Sequence, residues 1–271
     1  MPPEMAVACE AAGAAKAKRD GIGLLALGVL AGAFVALGAI FMTVALTGAE
    51  AMPWGVGRVL AGLVFSLGLI LVIVGGAELF TGDSQMIVAC ASRGIGVGSL
   101  LRAWSLVYLG NVGGALGTAA LVFLAGHYDA GGGGVGKTAL AIASAKASLP
   151  TSQVFLLAVL CNILVCLAVW MSFSARSVVD KVVVIVPPIA AFVAAGFEHS
   201  IANLFLLPYA LAIKLWAPAD FWTAIGRSAG DYATLTAADS LHNIAVSTVG
   251  NLIGGSLMVG GVYWFIYLRR R

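Results

Sequence analysis

Four ionisable side chains fall inside apolar stretches long enough to matter to a bilayer: Glu78, Asp83, Glu198 and His199. Such groups are costly in hydrocarbon, and they mark solute pathways when they pair or face a cavity. His199 is chemically distinct among them. An unperturbed imidazole titrates near pH ~6.5, so it can gain or give a proton close to neutrality. The bland alternative is a histidine that is simply hydrogen-bonded in the core. For Glu78 and Glu198 the alternative is a carboxylate that accepts from unpaired backbone amides and holds a loop in place. Thr81 adds a hydroxyl for a small polar solute, and Asp83, further along, is expected to be solvated on the cytoplasmic side.

The elements that must position these groups follow from composition. Of 271 residues 61% are apolar and only 10% charged, with 35 glycines besides. Soluble domains carry about 25% charged residues, so this chain reads as an integral membrane protein. Fifteen Lys or Arg against twelve Asp or Glu give a net charge of +3, too little to argue for nucleic acid. The four cysteines (Cys9, Cys90, Cys161 and Cys166) have no metal-type spacing and read as small hydrophobes.

Residues 1–20 hold Glu4, Glu10, Lys16, Lys18, Arg19 and Asp20 and lack the unbroken apolar core of a signal peptide. Met5–Lys18 is Ala-rich and predicts a short helix on the membrane surface. Four plain spans follow: Gly21–Leu46, Ala103–Gly126, Val154–Ala175 and Asn243–Leu268. Two further stretches, Val59–Ser92 and Val182–Ile213, are too long for one span and contain the charged residues above. At ~1.5 Å per residue each would be a rod of about 50 Å, so each is expected to be two half-helices around a break. Basic residues favour one face: Lys16, Lys18, Arg19, Arg93, Arg102, Arg176, Lys181, Arg269, Arg270 and Arg271, against Arg58, Lys137, Lys146, Lys214 and Arg227. Both termini are therefore expected in the cytoplasm with six spans between them.

An internal repeat supports this. Gly76-Ala77-Glu78 opens the first break and Gly196-Phe197-Glu198 the second, and Gly110-Asn111-Val112-Gly113-Gly114 echoes Gly250-Asn251-Leu252-Ile253-Gly254-Gly255. Two three-span halves of inverted topology place a pathway between the breaks, at the midplane. Phe65 and Leu69 share one helix face, Leu79 and Phe80 lie in the first break, Val165 follows Asn162 on the fourth span, and Phe192 precedes His199 by two turns. They suit ordinary packing as well as apolar gates around one histidine. The glycines, many paired or set among Ala and Ser, allow close approach of spans.

One motif misleads. Gly131-Gly132-Gly133-Gly134-Val135-Gly136-Lys137-Thr138 fits the phosphate-loop pattern, but no strand can precede it in this chain. It reads as a flexible glycine loop, with no nucleotide. Gly94-Ile95-Gly96-Val97-Gly98 likewise lacks a dinucleotide-binding setting, and no hydrolase motif is present.

The runs Gly76–Gly82, Gly110-Asn111, Gly196-Phe197-Glu198-His199-Ser200-Ile201-Ala202-Asn203 and Gly250–Gly255 resemble the signatures of the formate/nitrite transporter family, in order and spacing, from about residue 20 to 268. The resemblance implies an all-α, aquaporin-like protomer: six transmembrane helices in two inverted three-helix repeats, with broken second and fifth helices. It further implies a homopentamer with one pore per protomer in the bacterial inner membrane. Residues 1–20 would then be a cytoplasmic segment, 21–268 the pore domain and 269–271 a basic cytoplasmic tail. By the same resemblance His199 is the central histidine, Thr81 its partner, Lys146 the vestibule lysine, and Asn162 and Asn251 pore asparagines. Glu198 joins the pathway, and Phe65, Leu69, Leu79, Phe80, Val165 and Phe192 form the gates. One departure is Val246, where the family usually has proline, which puts a kink there in question.

The function this implies is passive, pH-responsive transport of a small monovalent weak-acid anion, formate first, with no cofactor and no enzymatic activity. Nitrite, hydrosulfide, acetate and lactate are alternatives within the family. Rival readings are a channel for uncharged solutes and a nucleotide-driven pump using the glycine loop.

Overall fold

A computed structural model describes residues 1–270, and every regular element among them is helical. Helix α1 (Pro2–Ala17) precedes α2 (Gly21–Leu46), whose first turn is capped by the Asp20 carboxylate accepting from the Gly23 N–H at 2.8 Å. The second span is α3 (Trp54–Phe65) and α4 (Leu67–Gly75), joined at Ser66, whose hydroxyl donates back to the Gly62 carbonyl. After the first break come α5 (Phe80–Asp83), a tight turn over Ser84–Met86, and α6 (Ile87–Ala91). The third span is α7 (Val97–Leu124).

The second half repeats this order. Helix α8 (Gly134–Ala147) precedes span α9 (Thr151–Ser172), then α10 (Val178–Ala195), the second break, and α11 (Ser200–Trp216). The chain bends by 108° into α12 (Ala219–Ile225). Last comes α13 (Ala237–Ile253), a widened π-helical run over Gly254–Gly261, and α14 (Val262–Tyr267). Six helices are long and apolar enough to cross a membrane. Three crossings separate the halves, so the second enters from the opposite face.

Small residues let the spans touch backbone to backbone. A Cβ added at Gly114 of α7 would lie 1.9 Å from the Val29 carbonyl oxygen of α2, and one at Gly254 would lie 2.3 Å from that of Val159 in α9. The first span thus packs on the third as the fourth packs on the sixth, with glycine at matching contacts. Outward faces stay apolar, as at Leu109, Leu121, Leu124 and Leu156, which suits lipid.

Several sequence expectations need correction. The third span begins at Val97 rather than Ala103 and includes Arg102, which reaches the Arg19 carbonyl at 3.2 Å. The sixth begins at Ala237 rather than Asn243, and α13 runs unbroken through Val246, so that position carries no kink. The second interrupted stretch is two helices, but the far part of the first is only short turns. There the Ser84 hydroxyl turns back to the Thr81 carbonyl at 2.7 Å instead of letting a helix continue. Helix α1 buries Ala6, Cys9 and Gly13 against the protein, so it does more than lie on a membrane surface. Burial pushes the Cys9 thiol up to about 12, the Lys16 charge opposing it in part, so this thiol stays protonated.

Candidate functional site

Both breaks are built to one plan. Gly76 and Gly196 end their helices at φ 76° and 78°, a left-handed geometry that costs glycine nothing. Three residues later Leu79 (φ −112°, ψ 120°) and His199 (φ −109°, ψ 112°) are extended and start the next helix. One asparagine holds each break. Asn111 accepts from the Phe80 N–H at 2.9 Å and donates to the carbonyls of Gly28 (2.8 Å) and Glu78 (3.0 Å). Asn251 accepts from the Ser200 N–H at 2.8 Å and donates to those of Ala158 (2.7 Å) and Glu198 (2.9 Å). Irregular backbone at membrane depth is tolerable only when its polar groups are satisfied in this way.

At the centre the breaks meet. The His199 Nε2 lies 3.0 Å from the Thr81 hydroxyl, and both residues are buried. His199 also caps α11: its Nδ1 accepts from the Ala202 N–H at 3.1 Å. That contact leaves no proton on Nδ1, so the neutral ring carries its proton on Nε2 and donates it to Thr81. The Thr81 hydroxyl hydrogen is then free to point to a solute. A narrow chamber here is lined by Phe65, Leu69, Leu79, Val165, Phe192 and His199, with Val35 and Ile189. The Phe65 and Phe192 rings meet edge to face at 5.7 Å, and Phe192 lies nearly parallel to His199 at 5.8 Å.

Phe80 goes elsewhere. Its ring packs edge-on against Tyr108 (5.0 Å) and Trp104 (6.5 Å), and it serves the site through its backbone N–H. Asn162 and Asn251 are fully buried and hold backbone rather than line a recess. Asn162 donates to the Thr81 carbonyl (3.1 Å), the Ser84 hydroxyl (3.2 Å) and the Asn251 carbonyl (2.6 Å), which ties the two breaks together.

A recess opens toward each face. One, of about 450 Å³, is lined by Arg58, Lys146, Phe65, Phe192, His199 and neighbours. Within it Lys146 is ion-paired with Glu198 at 2.7 Å, and the other Glu198 oxygen accepts from Asn203 (2.7 Å) and Asn243 (3.3 Å). The opposite recess, of about 830 Å³, holds Lys16, Arg19, Glu78, Asp83 and Lys181. Lys16 lies 2.5 Å from both Glu78 and Asp83, and Arg19 pairs with Glu78 at 3.0 Å. Burial alone would push the Lys16 ammonium down. Asp83 and Glu78 outweigh that and hold it above the ordinary lysine range. Lys16 in α1 is thus the counterpart of Lys146 in α8, each on the glutamate that opens the break of its own half.

These contacts revise the expectations. The glutamate carboxylates meet cations and, at Glu198, asparagine amides; the Phe80 and Ser200 amides that follow the breaks go to Asn111 and Asn251, and the Glu78 and Glu198 amides to the Leu27 and Leu157 carbonyls. Asp83 is only 2% exposed and pairs with Lys16, not with solvent. Asn111, Asn203, Asn243, Lys16, Arg19 and Arg58 escaped the sequence reading. Asn111 carried a signal in the Gly-Asn echo and Asn203 in the Gly196–Asn203 run, and Lys16 could have been found by aligning α1 with α8. The phosphate-loop look-alike folds as left-handed turns at Gly131, Gly132 and Gly133 leading into α8. The Gly133, Gly134 and Val135 amides bond to the Asp129, Gly131 and Ala130 carbonyls rather than converging on a phosphate.

Comparison with known proteins agrees with this architecture. The chain is 42% identical over 270 residues to Formate channel FocA of Escherichia coli (strain K12), covering 99% of this chain and 95% of that one. Formate channel FocB of the same strain is 36% identical, at 98% and 94% coverage. A solved structure described as a pentameric formate channel with formate bound superposes with a TM-score of 0.87 at 44% identity, covering 92% of this chain and 98% of that one. Another, described as an FNT family ion channel, gives 0.81 at 27%, covering 97% and 98%. The model of the family described as Formate/nitrite transporter matches residues 3–265. Matched across nearly its whole length in both sequence and fold, this chain belongs to the formate/nitrite transporter family.

Proposed function

We propose that the chain is a passive, pH-responsive pore for a small monovalent weak-acid anion, formate before nitrite, with protonation assisted by His199. The observation that carries this reading is the Thr81–His199 contact in an apolar chamber between two recesses that each hold a lysine. The FocA relative supports formate, and the pentameric formate channel supports a homopentamer with a pore in each protomer. The unequal split of basic residues supports termini in the cytoplasm of a multi-pass inner-membrane protein, which makes the Lys146 recess the outer one. Residues 21–268 are the pore domain in this scheme, flanked by the cytoplasmic segment 1–20 and tail 269–271.

The chemistry follows from solvation. A bare anion entering the Phe65–Phe192 constriction loses its water at large cost, whereas its neutral acid loses far less. Cationic mouths concentrate the anion. At the constriction the Thr81 hydroxyl, already accepting from His199 Nε2–H, can donate to the anion. When His199 is doubly protonated, formate takes a proton from it, leaving neutral formic acid and a neutral ring. The ring is recharged by a hydronium ion from the solvent in a recess, which leaves as water. Protonating Nδ1 breaks the Ala202 cap, which ties the charged state of the ring to movement at the start of α11.

The test is flux of formate, nitrite and acetate into liposomes from acid to neutral pH, with His199→Ala alongside. Formate flux that responds to pH, and is lost or pH-insensitive in the variant, supports the reading. Nitrite flux alone would replace the substrate. No anion flux through folded protein would overturn the proposal.

A further inference from the structure

The cation usually expected to draw an anion into the outer recess is compensated. Lys146 lies against the Glu198 carboxylate at 2.7 Å, and His199 is neutral when its Nδ1 accepts from Ala202. Arg58 shares that recess and has no such partner. Its Nε donates to the Ala194 carbonyl at 3.1 Å and its Nη2 to the Val193 carbonyl at 2.7 Å, both uncharged acceptors. No carboxylate pairs with it among the described residues; Glu50 lines an adjoining recess with Arg58 and Lys137 without reaching ion-pair distance. Charge in the recess therefore sums to one positive unit, and it resides on Arg58.

We propose that Arg58 is the anion-recruiting residue of this mouth, binding the solute's carboxylate before it meets the Phe65–Phe192 pair. The proposal rests on the anion-pore reading above. Three features support it. The carbonyls that Arg58 caps are the last of α10, whose negative helix end would otherwise face an incoming anion. A guanidinium keeps its charge in a half-buried site and presents a planar fork that fits a carboxylate. Its Nη1 makes no hydrogen bond to the described residues, so one edge of the fork remains for a ligand. The other mouth lacks the device: among the described residues no side chain donates to the final carbonyls of α4.

The experiment compares wild type, Arg58→Gln and Arg58→Lys in liposomes, reading formate flux against formate concentration at low and high salt, with thermal unfolding in parallel. Arg58→Gln is expected to raise the half-saturating concentration roughly three- to tenfold and to flatten the salt dependence, since local enrichment by one charge is of that order and is screened. Arg58→Lys retains the charge but neither the two-carbonyl cap nor the fork, and is expected to keep the wild-type salt dependence with a smaller rise in half-saturating concentration than Arg58→Gln. Equal impairment of the two variants, or none in Arg58→Gln, would overturn the proposal by leaving Arg58 a helix cap only. A wild-type protein that moves neither formate nor nitrite would instead overturn the pore reading beneath it.

Discussion

Asn111 and Asn251 do the same work on opposite sides of the pore, each joining the break of its own half to the first span of that half. The Asn111 amide spans Phe80, Glu78 and Gly28; the Asn251 amide spans Ser200, Glu198 and Ala158. Both side chains are fully buried, so no water replaces a lost bond.

Asn111→Ala and Asn251→Ala are therefore expected to destabilise to a similar degree. Each leaves one N–H and one break carbonyl short of a partner, while the Gly28 and Ala158 carbonyls keep their helix bonds, at about 1–3 kcal/mol per unsatisfied group where neighbours do not compensate. Thermal unfolding in detergent would measure both. A loss below about 1 kcal/mol at either site would remove it from the clamp.

Lys146→Ala should abolish anion flux more completely than its distance from the chamber suggests. Removing one partner of a buried pair costs about 3–5 kcal/mol and here leaves the Glu198 charge uncompensated beside the recess, held only by Asn203 and Asn243. The double change Lys146→Ala with Glu198→Gln should recover flux relative to the single change. Initial rates in liposomes decide this, and an unrescued double variant would give Lys146 a role beyond balancing Glu198.

The π-helical run of the sixth span makes room for the first break. A Cβ on Gly255 would lie 2.0 Å from the Ser84 hydroxyl oxygen and 2.4 Å from Asn162 Nδ2. Gly255→Ala should cost at least about 2 kcal/mol, in the upper range for overpacking. Gly117→Ala on α7, with nothing within 4 Å, should be near neutral. Comparing the melting temperatures of the two variants tests the packing directly.

Alkali should undock α1 only late. Lys16 is held above its ordinary value by Asp83 and Glu78, so its contribution to docking is fully present below the unfolded-chain value of about 10.4 and is lost as pH rises through the higher folded value. Protease cleavage at Lys16 and Lys18 should stay slow from neutral pH to about pH 10 and accelerate above it. Release between pH 7 and 9 would show that another group governs the docking.

The spans, the two breaks and the central residues were legible because membrane solvation leaves few solutions: long apolar runs, punctuated where Gly76 and Gly196 permit a left-handed turn. His199 and Thr81 were legible because a titratable group and a hydroxyl stand out in hydrocarbon. Side-chain partners were not. Glu78 and Glu198 sit beside free amides in sequence, yet the cations that pair with them come from α1 and α8, and Asn243 from α13, far along the chain; only Asn203 is local. Arg58 looked like one basic residue near a span end, and nothing local indicated that it reaches the end of α10. Phe80 was read as a gate from its place in the break, but Trp104 and Tyr108 on α7 claim its ring.

The clamps and lysine pairs never cross between halves: Asn111 and Lys16 bind only within the first, Asn251 and Lys146 only within the second. Contacts that do cross include Thr81–His199, Phe65–Phe192 and Arg58–Val193 on the pathway, and the buried bonds from Asn162 to Thr81 and Ser84 beside it. Severing the backbone in the glycine turn at Gly131–Gly133 would break no clamp in either fragment. The gene could thus be divided there into two co-expressed pieces, each able to shape its own re-entrant bend, with the conduit arising only on their reunion.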